Sequence, residues 1–182
     1  RGKMGHWMAD FLAAQGFAVT VADPSGEVAG YDYVADWTCS DLHHDIIVVA
    51  TPIRIANDVL AELAGRRPRG IVFDIGSLKT PLRSGLDQLR AAGCHVTSVH
   101  PMFGPNEIGL SGRHILFVDV GDAAAVAEAR ALFAHTAADC VNLSLEEHDE
   151  VMAWVLGLSH LVNIAFASAL AQSGEAVPLL RQ

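Results

Sequence analysis

The stretch Val96-Thr97-Ser98-Val99-His100-Pro101-Met102-Phe103-Gly104-Pro105 is a β-branched run that ends in a histidine followed at once by proline. Proline fixes its own φ and lacks an N–H donor, so this order of residues holds an imidazole stiffly at the carboxyl end of a strand. Open α/β sheets keep their ligand crevice at that edge. With an ordinary pKa of about 6.5, an imidazole there is suited to accepting a proton near neutral pH. Asp74-Ile75-Gly76-Ser77-Leu78-Lys79 has the composition of a second strand-end turn. Gly76 lets backbone approach a ligand, the Ser77 hydroxyl can orient a substrate hydroxyl or His100, and Lys79 adds a cation for a carboxylated small molecule. Ser77 also suits a plain helix cap.

Two further turns have the chemistry of a dinucleotide site. Gly2-Lys3-Met4-Gly5 matches the end of a G-x-G-x-x-G turn, in which glycines admit a pyrophosphate to the backbone. The first glycine of that pattern, and the strand before it, are expected ahead of Arg1. Asp23 closes an apolar run about 20 residues after the glycines, where an acid binds the ribose hydroxyls of adenosine. A carboxylate there repels a 2′-phosphate, and Pro24 and Ser25 supply no cation, so NAD is expected in preference to NADP. Ala50-Thr51-Pro52 ends another apolar run and can border the nicotinamide or simply turn the chain.

The other histidines do not group. His6, His43, His44, His95, His114 and His135 lack partners at ligand spacing and no HExxH pattern occurs, so no metal site is expected. His148 falls in an acidic first helical turn and is expected to face solvent. His160 interrupts an apolar helix and needs a partner if buried.

The elements that position these residues alternate in type. Trp7, Met8, Phe11 and Leu12 recur at helical spacing up to Gly16, and Phe17 to Ala22 reads as a strand. Ile46–Ala50, Ile71–Ile75, His95–Val99 and His114–Asp119 are further strands. Helical faces over Ile55, Val59, Leu60 and Leu63, and over Leu82, Leu86 and Leu89, lie between them, with Thr80 as a cap before Pro81. Apolar strands alternating with helices imply an α/β fold, a doubly wound and mostly parallel sheet of Rossmann type covered on both faces. A domain over residues 1–142 is expected to hold it. Ser144-Leu145-Glu146-Glu147 has capping-box spacing and starts a helix running to about Ala171, the beginning of an all-helical domain over 143–182.

The chain has 182 residues, 51% of them hydrophobic and 18% charged, which excludes a disordered polymer. A net charge of −9 leaves no basic footprint for nucleic acid. Cys39, Cys94 and Cys140 are odd in number, widely spaced and without a CxxC pair, as in the reduced cytoplasm. Val151 to Ala171 is long enough to span a membrane, but Ser159, His160, Asn163 and Ser168 interrupt it, so burial between domains or subunits is expected instead.

The decapeptide around His100 resembles the signature of the prephenate dehydrogenase family. Gly2-Lys3-Met4-Gly5, Ala50-Thr51-Pro52, Asp74-Ile75-Gly76-Ser77-Leu78-Lys79, Glu147-His148-Asp149 and Gly157-Leu158-Ser159-His160 are similar to that family in the same order. The resemblance implies NAD-dependent oxidative decarboxylation of prephenate in tyrosine biosynthesis, with His100 as proton acceptor and Ser77 beside it. It implies Gly2, Met4, Gly5, Asp23, Thr51 and Pro52 around the cofactor, and His160, Asn106 and Lys79 on the substrate side. It also implies a cytoplasmic homodimer through the helical domain, with a substrate-pairing arginine expected beyond Gln182. Asn106 stands where relatives often have an acid, which leaves prephenate, arogenate and a 4-amino analogue open. A β-hydroxyacid dehydrogenase would need a lysine on the Val151–Ala171 helix, which has none. A non-catalytic NAD-sensing module would need no histidine and serine at neighbouring strand ends.

Overall fold

The computed structural model describes residues 2–173. A first helix, α1 (Lys3–Ala14), leaves the glycine turn and ends before Gly16, whose φ of 92° is the left-handed conformation that glycine adopts freely. Two short parallel strands follow, β1 (Thr20–Ala22) and β2 (Asp32–Val34). The main sheet holds β3 (Ile46–Val49), β4 (Ile71–Asp74), β5 (Val96–Pro101), β6 (His114–Asp119) and β7 (Asp139–Ser144), in that spatial order. All neighbours are parallel except β5 and β6, which run antiparallel. The doubly wound, mostly parallel expectation is therefore met.

Helices α2 (Ile53–Arg66), α3 (Arg83–Ala91) and α4 (Ala123–Ala131) connect the strands. Strand alternation sorts the core into two layers. Val72, Val96 and Val118 pack with Leu60, Leu63, Leu86 and Leu89 on the α2–α3 side. Ile71, Phe73, Val99, Ile115 and Phe117 pack with Met8, Leu12, Val126 and Phe133 on the α1–α4 side.

Three local expectations differ from the structure. β2 and β7 were not anticipated, because the first has only three residues and the second is a largely exposed edge strand with little apolar patterning. β1 is shorter than Phe17–Ala22, since residues from Gln15 to Phe17 are spent closing the helix: the N–H groups of Gln15 and Phe17 both donate to Leu12 O. Thr80 does not cap α3. It opens a 3₁₀ turn (Thr80–Leu82) in which Pro81 sits early, and its N–H donates to Asp149.

After β7 the capping box forms as expected. Ser144 Oγ accepts from Glu147 N–H, and Glu147 Oε2 accepts from Ser144 N–H at 2.7 Å. The chain then runs through α5 (Leu145–Met152), a π-helical stretch (Ala153–Leu158) and α6 (Ser159–Ser173). The helix over Leu145–Gln172 is long and apolar enough to cross a membrane by length and composition. Trp154, Leu161, Ile164 and Phe166 are exposed along it.

Candidate active site

Alternation along β5 puts Val96, Ser98 and His100 on one face, turned towards α2, α3 and the start of α5. His100 is only 6% exposed and lies one residue from the strand's end. It borders a cavity of about 360 Å³, together with Met4 from α1, Ile75 and Ser77 from the loop after β4, Pro101, Met102 and Phe103, and Leu156 from the π-helical stretch. The lining is apolar apart from Ser77 and the imidazole. Such a pocket suits a small ring that carries one hydroxyl. A wider, open depression of about 520 Å³ runs along α3 from Thr80 to Ala91, and none of the residues above lines it apart from the turn at Thr80.

Behind His100 lies a line of hydrogen bonds. Its Nδ1 is 2.9 Å from Nε2 of His148, and Nδ1 of His148 is 2.7 Å from Oδ1 of Asp149. Asp149 also accepts the N–H of Lys79 at 3.0 Å and of Thr80 at 2.6 Å. Burial pushes the His100 pKa down to about 3, helped by the Lys79 ammonium and by His148, so the ring is neutral at physiological pH. Burial also lowers that of His148. Burial works to raise the Asp149 pKa, but hydrogen bonds from Thr80, Lys79 and His148 outweigh it and hold it at about 2.

His148 was expected in solvent and is fully buried. The signal for this is present in the sequence: Leu145, His148 and Met152 are spaced as one helical stripe, and all three are buried. Ser77 shares the cavity with His100, but the imidazole bonds to His148. Lys79, expected to face a carboxylated substrate, is also fully buried. Its ammonium donates to Asp74 Oδ1 at 2.7 Å and Val99 O at 2.9 Å, while Asp74 further accepts Ser98 Oγ and the Gly76 N–H. Desolvation lowers the Lys79 pKa against the attraction of Asp74. Lys79 therefore braces the β4–β5 strand ends from within. Asn106 is exposed in the loop after the Gly-Pro turn and does not line the cavity, and Arg113 pairs with Glu107 at 2.9 Å. His160 is exposed on α6, four residues beyond Leu156.

The dinucleotide residues lie at neighbouring strand ends. Gly2 caps α1, and a Cβ on Gly5 would stand 3.1 Å from Ala50 Cβ, so glycine at that position lets the helix start lie tight against the end of β3. Thr51 and Pro52 follow directly, Pro52 capping α2. Asp23 sits just past β1, its N–H bonded to Val34 O and its carboxylate accepting from Ser25 N–H. The free N–H groups of α1, a glycine cradle and a strand-end acid fit a dinucleotide. Among the described residues no group of three His, Cys, Asp or Glu side chains could hold a metal ion.

The family model "Prephenate dehydrogenase, nucleotide-binding domain" matches residues 9–120, more than half of the chain. The chain belongs to the prephenate dehydrogenase family. A similar curated protein is the "Probable arogenate/prephenate dehydrogenase" of Methanocaldococcus jannaschii, 26% identical over 179 residues, covering 92% of this chain and 40% of that protein. The chain thus spans less than half the length of that relative.

Among solved structures, prephenate dehydrogenase from A. aeolicus in complex with hydroxyphenyl propionate and NAD+ superposes with a TM-score of 0.74 at 19% identity, covering 93% of this chain and 66% of that one. An imine reductase from Myxococcus stipitatus in complex with NADP+ gives 0.76 at 19% identity, covering 100% and 66%. At these identities the likeness is one of fold, of Rossmann type. The family model that matches is that of a nucleotide-binding domain, in keeping with the glycine turn, and the first of these two neighbours holds NAD+ and the second NADP+.

Proposed function

We propose that this chain carries the cofactor site and the proton acceptor of an NAD-dependent dehydrogenase that converts prephenate to 4-hydroxyphenylpyruvate and carbon dioxide. The observation that carries this reading is His100, a neutral and nearly buried imidazole bordering a mostly apolar cavity beside Ser77 and the residue Met4 of the glycine turn. Prephenate has a hydroxyl on a non-aromatic ring, opposite a ring carboxylate. When bound, the nicotinamide supplies the acceptor for the hydride on the carbon bearing that hydroxyl. His100 takes up the hydroxyl proton, so carbonyl character can develop at the oxygen while the ring carboxylate leaves as carbon dioxide. The ring becomes aromatic, and the proton returns to the phenolic oxygen. Ser77 orients the hydroxyl from the opposite loop. Proton transfer of this kind is worth about 10²–10⁴ in rate.

Gly2, Met4, Gly5, Thr51 and Pro52 hold the dinucleotide in this reading, with Asp23 on the ribose and hence NAD preferred to NADP. His160 and Asn106 are exposed in the single chain, so a substrate role for them requires a closing element. A second copy docked on the exposed face of α6 supplies one, in a cytoplasmic homodimer. The test is NADH formation by the whole protein with prephenate, arogenate and 4-amino-4-deoxyprephenate side by side. Preferred turnover of prephenate is expected. Preference for arogenate or the amino analogue moves the substrate within the family, and no NADH from any of the three overturns the reading.

A further inference from the structure

The line from Asp149 to His100 has a direction, and its far end dictates it. The Asp149 carboxylate is ionised and accepts two backbone N–H groups, so it can only accept. His148 Nδ1, 2.7 Å away, must therefore be the protonated nitrogen that donates to it. A neutral His148 then has a lone pair at Nε2, which can only accept. His100 Nδ1, 2.9 Å from that lone pair, must donate. The remaining nitrogen of His100, Nε2, is left unprotonated on a ring that borders the cavity.

We propose that Asp149 and His148 are positioning residues that lock His100 in its Nδ1–H tautomer and so make Nε2 the proton acceptor of the site. This deepens the reading of His100 given above and rests on it. It also explains why a histidine occupies the inner stripe of α5 between Leu145 and Met152, where an apolar residue would fill the core without needing a partner. The same carboxylate holds the backbone of Lys79 and Thr80, at the far end of the loop that brings Ser77 to the cavity. One acid thereby sets both the tautomer of the base and the anchor of the opposing loop.

The whole protein, labelled with ¹⁵N-histidine, reports the tautomer directly through its ring ¹⁵N shifts and couplings. His100 and His148 are both expected as Nδ1–H. An Nε2–H tautomer at His100 overturns the proposal, and this readout needs neither turnover nor a variant. His148→Leu removes the acceptor at similar size, whereas the amide oxygen of His148→Gln can still accept from His100 Nδ1. His148→Leu is expected to mix the His100 tautomers and lower kcat by about 10²-fold or more with the Kd for NAD+ unchanged, as for loss of tautomer control in a catalytic triad. His148→Gln is expected to keep the Nδ1–H form and remain within about tenfold of the parent. Equal losses in both variants with an unaltered His100 tautomer mark His148 as merely structural and overturn the proposal. An Nδ1–H tautomer in a protein that turns over none of the three ring substrates upholds the tautomer assignment and removes only the substrate reading.

Discussion

Replacing Lys79 with methionine asks whether its ammonium serves the fold or the substrate. Lys79 and Asp74 are both fully buried, with Nζ 2.7 Å from Oδ1 and a second bond from Nζ to Val99 O at 2.9 Å. Methionine preserves most of the apolar stem and deletes the cation. Asp74 keeps the Ser98 hydroxyl and the Gly76 N–H, yet its charge is left unpaired away from water. Breaking a buried pair on one side costs about 3–5 kcal/mol. At roughly 2–4 °C per kcal/mol for a domain of this size, Tm should fall by about 6–20 °C in a calorimetric scan. The companion Lys79→Met/Asp74→Asn should recover at least about 1 kcal/mol, because it removes the stranded charge. A lysine that instead paired with a substrate carboxylate would give a raised KM for the ring substrate at unchanged stability. A Tm within about 2 °C of the parent, under 1 kcal/mol on the same scale, would refute the structural role.

Acid should unfold the protein in a particular window. The His100 pKa falls from 6.5 unfolded to about 3 folded, so between those values the unfolded chain binds a proton that the folded chain does not. Stability is then full above about pH 6.5 and is lost as pH drops towards 3, by up to roughly 4–5 kcal/mol, and urea titrations of His100→Asn should show a shallower loss over that range. Asp149 adds a further loss of the same sign below its ordinary carboxylate range, down to about pH 2. Gly5→Val should push α1 away from Ala50, already 3.1 Å from a Cβ at that position, and raise the Kd for NAD+ at least about tenfold by calorimetry with the fold retained. An unchanged Kd would separate the glycine turn from the cofactor.

The sheet was legible because β4, β5 and β6 are buried on both faces, and two-sided burial leaves short runs dominated by apolar and β-branched residues. His100 was legible because Pro101 marks a strand end locally, and the capping box at Ser144 is likewise a matter of four adjacent residues. The support behind His100 was not, because it depends on contacts between residues 48 apart in the chain. The acids around His148 point to a helix N-terminus in water, and only the spacing of Leu145, His148 and Met152 shows that this residue turns inward. Lys79 misled for a related reason. A lysine in a polar turn is usually solvated, and nothing local shows that Asp74, at the end of an apolar strand, is buried and accepts its charge. Edge strands such as β7 carry too little apolar alternation to be read without their neighbours.

The measurement that bears most directly on this site is steady-state and binding analysis of His100→Asn in the whole protein. A neutral base held by His148 predicts that kcat for prephenate falls by about 10²–10⁴ while the Kd for NAD+ stays near that of the parent. It also predicts that the acid limb of kcat/KM in the parent lies well below the ordinary histidine value of 6.5, because burial holds the free enzyme's imidazole near 3, and that the variant loses this limb. A variant whose kcat stays within about threefold of the parent, with the acid limb intact, would contradict His100 as the proton acceptor.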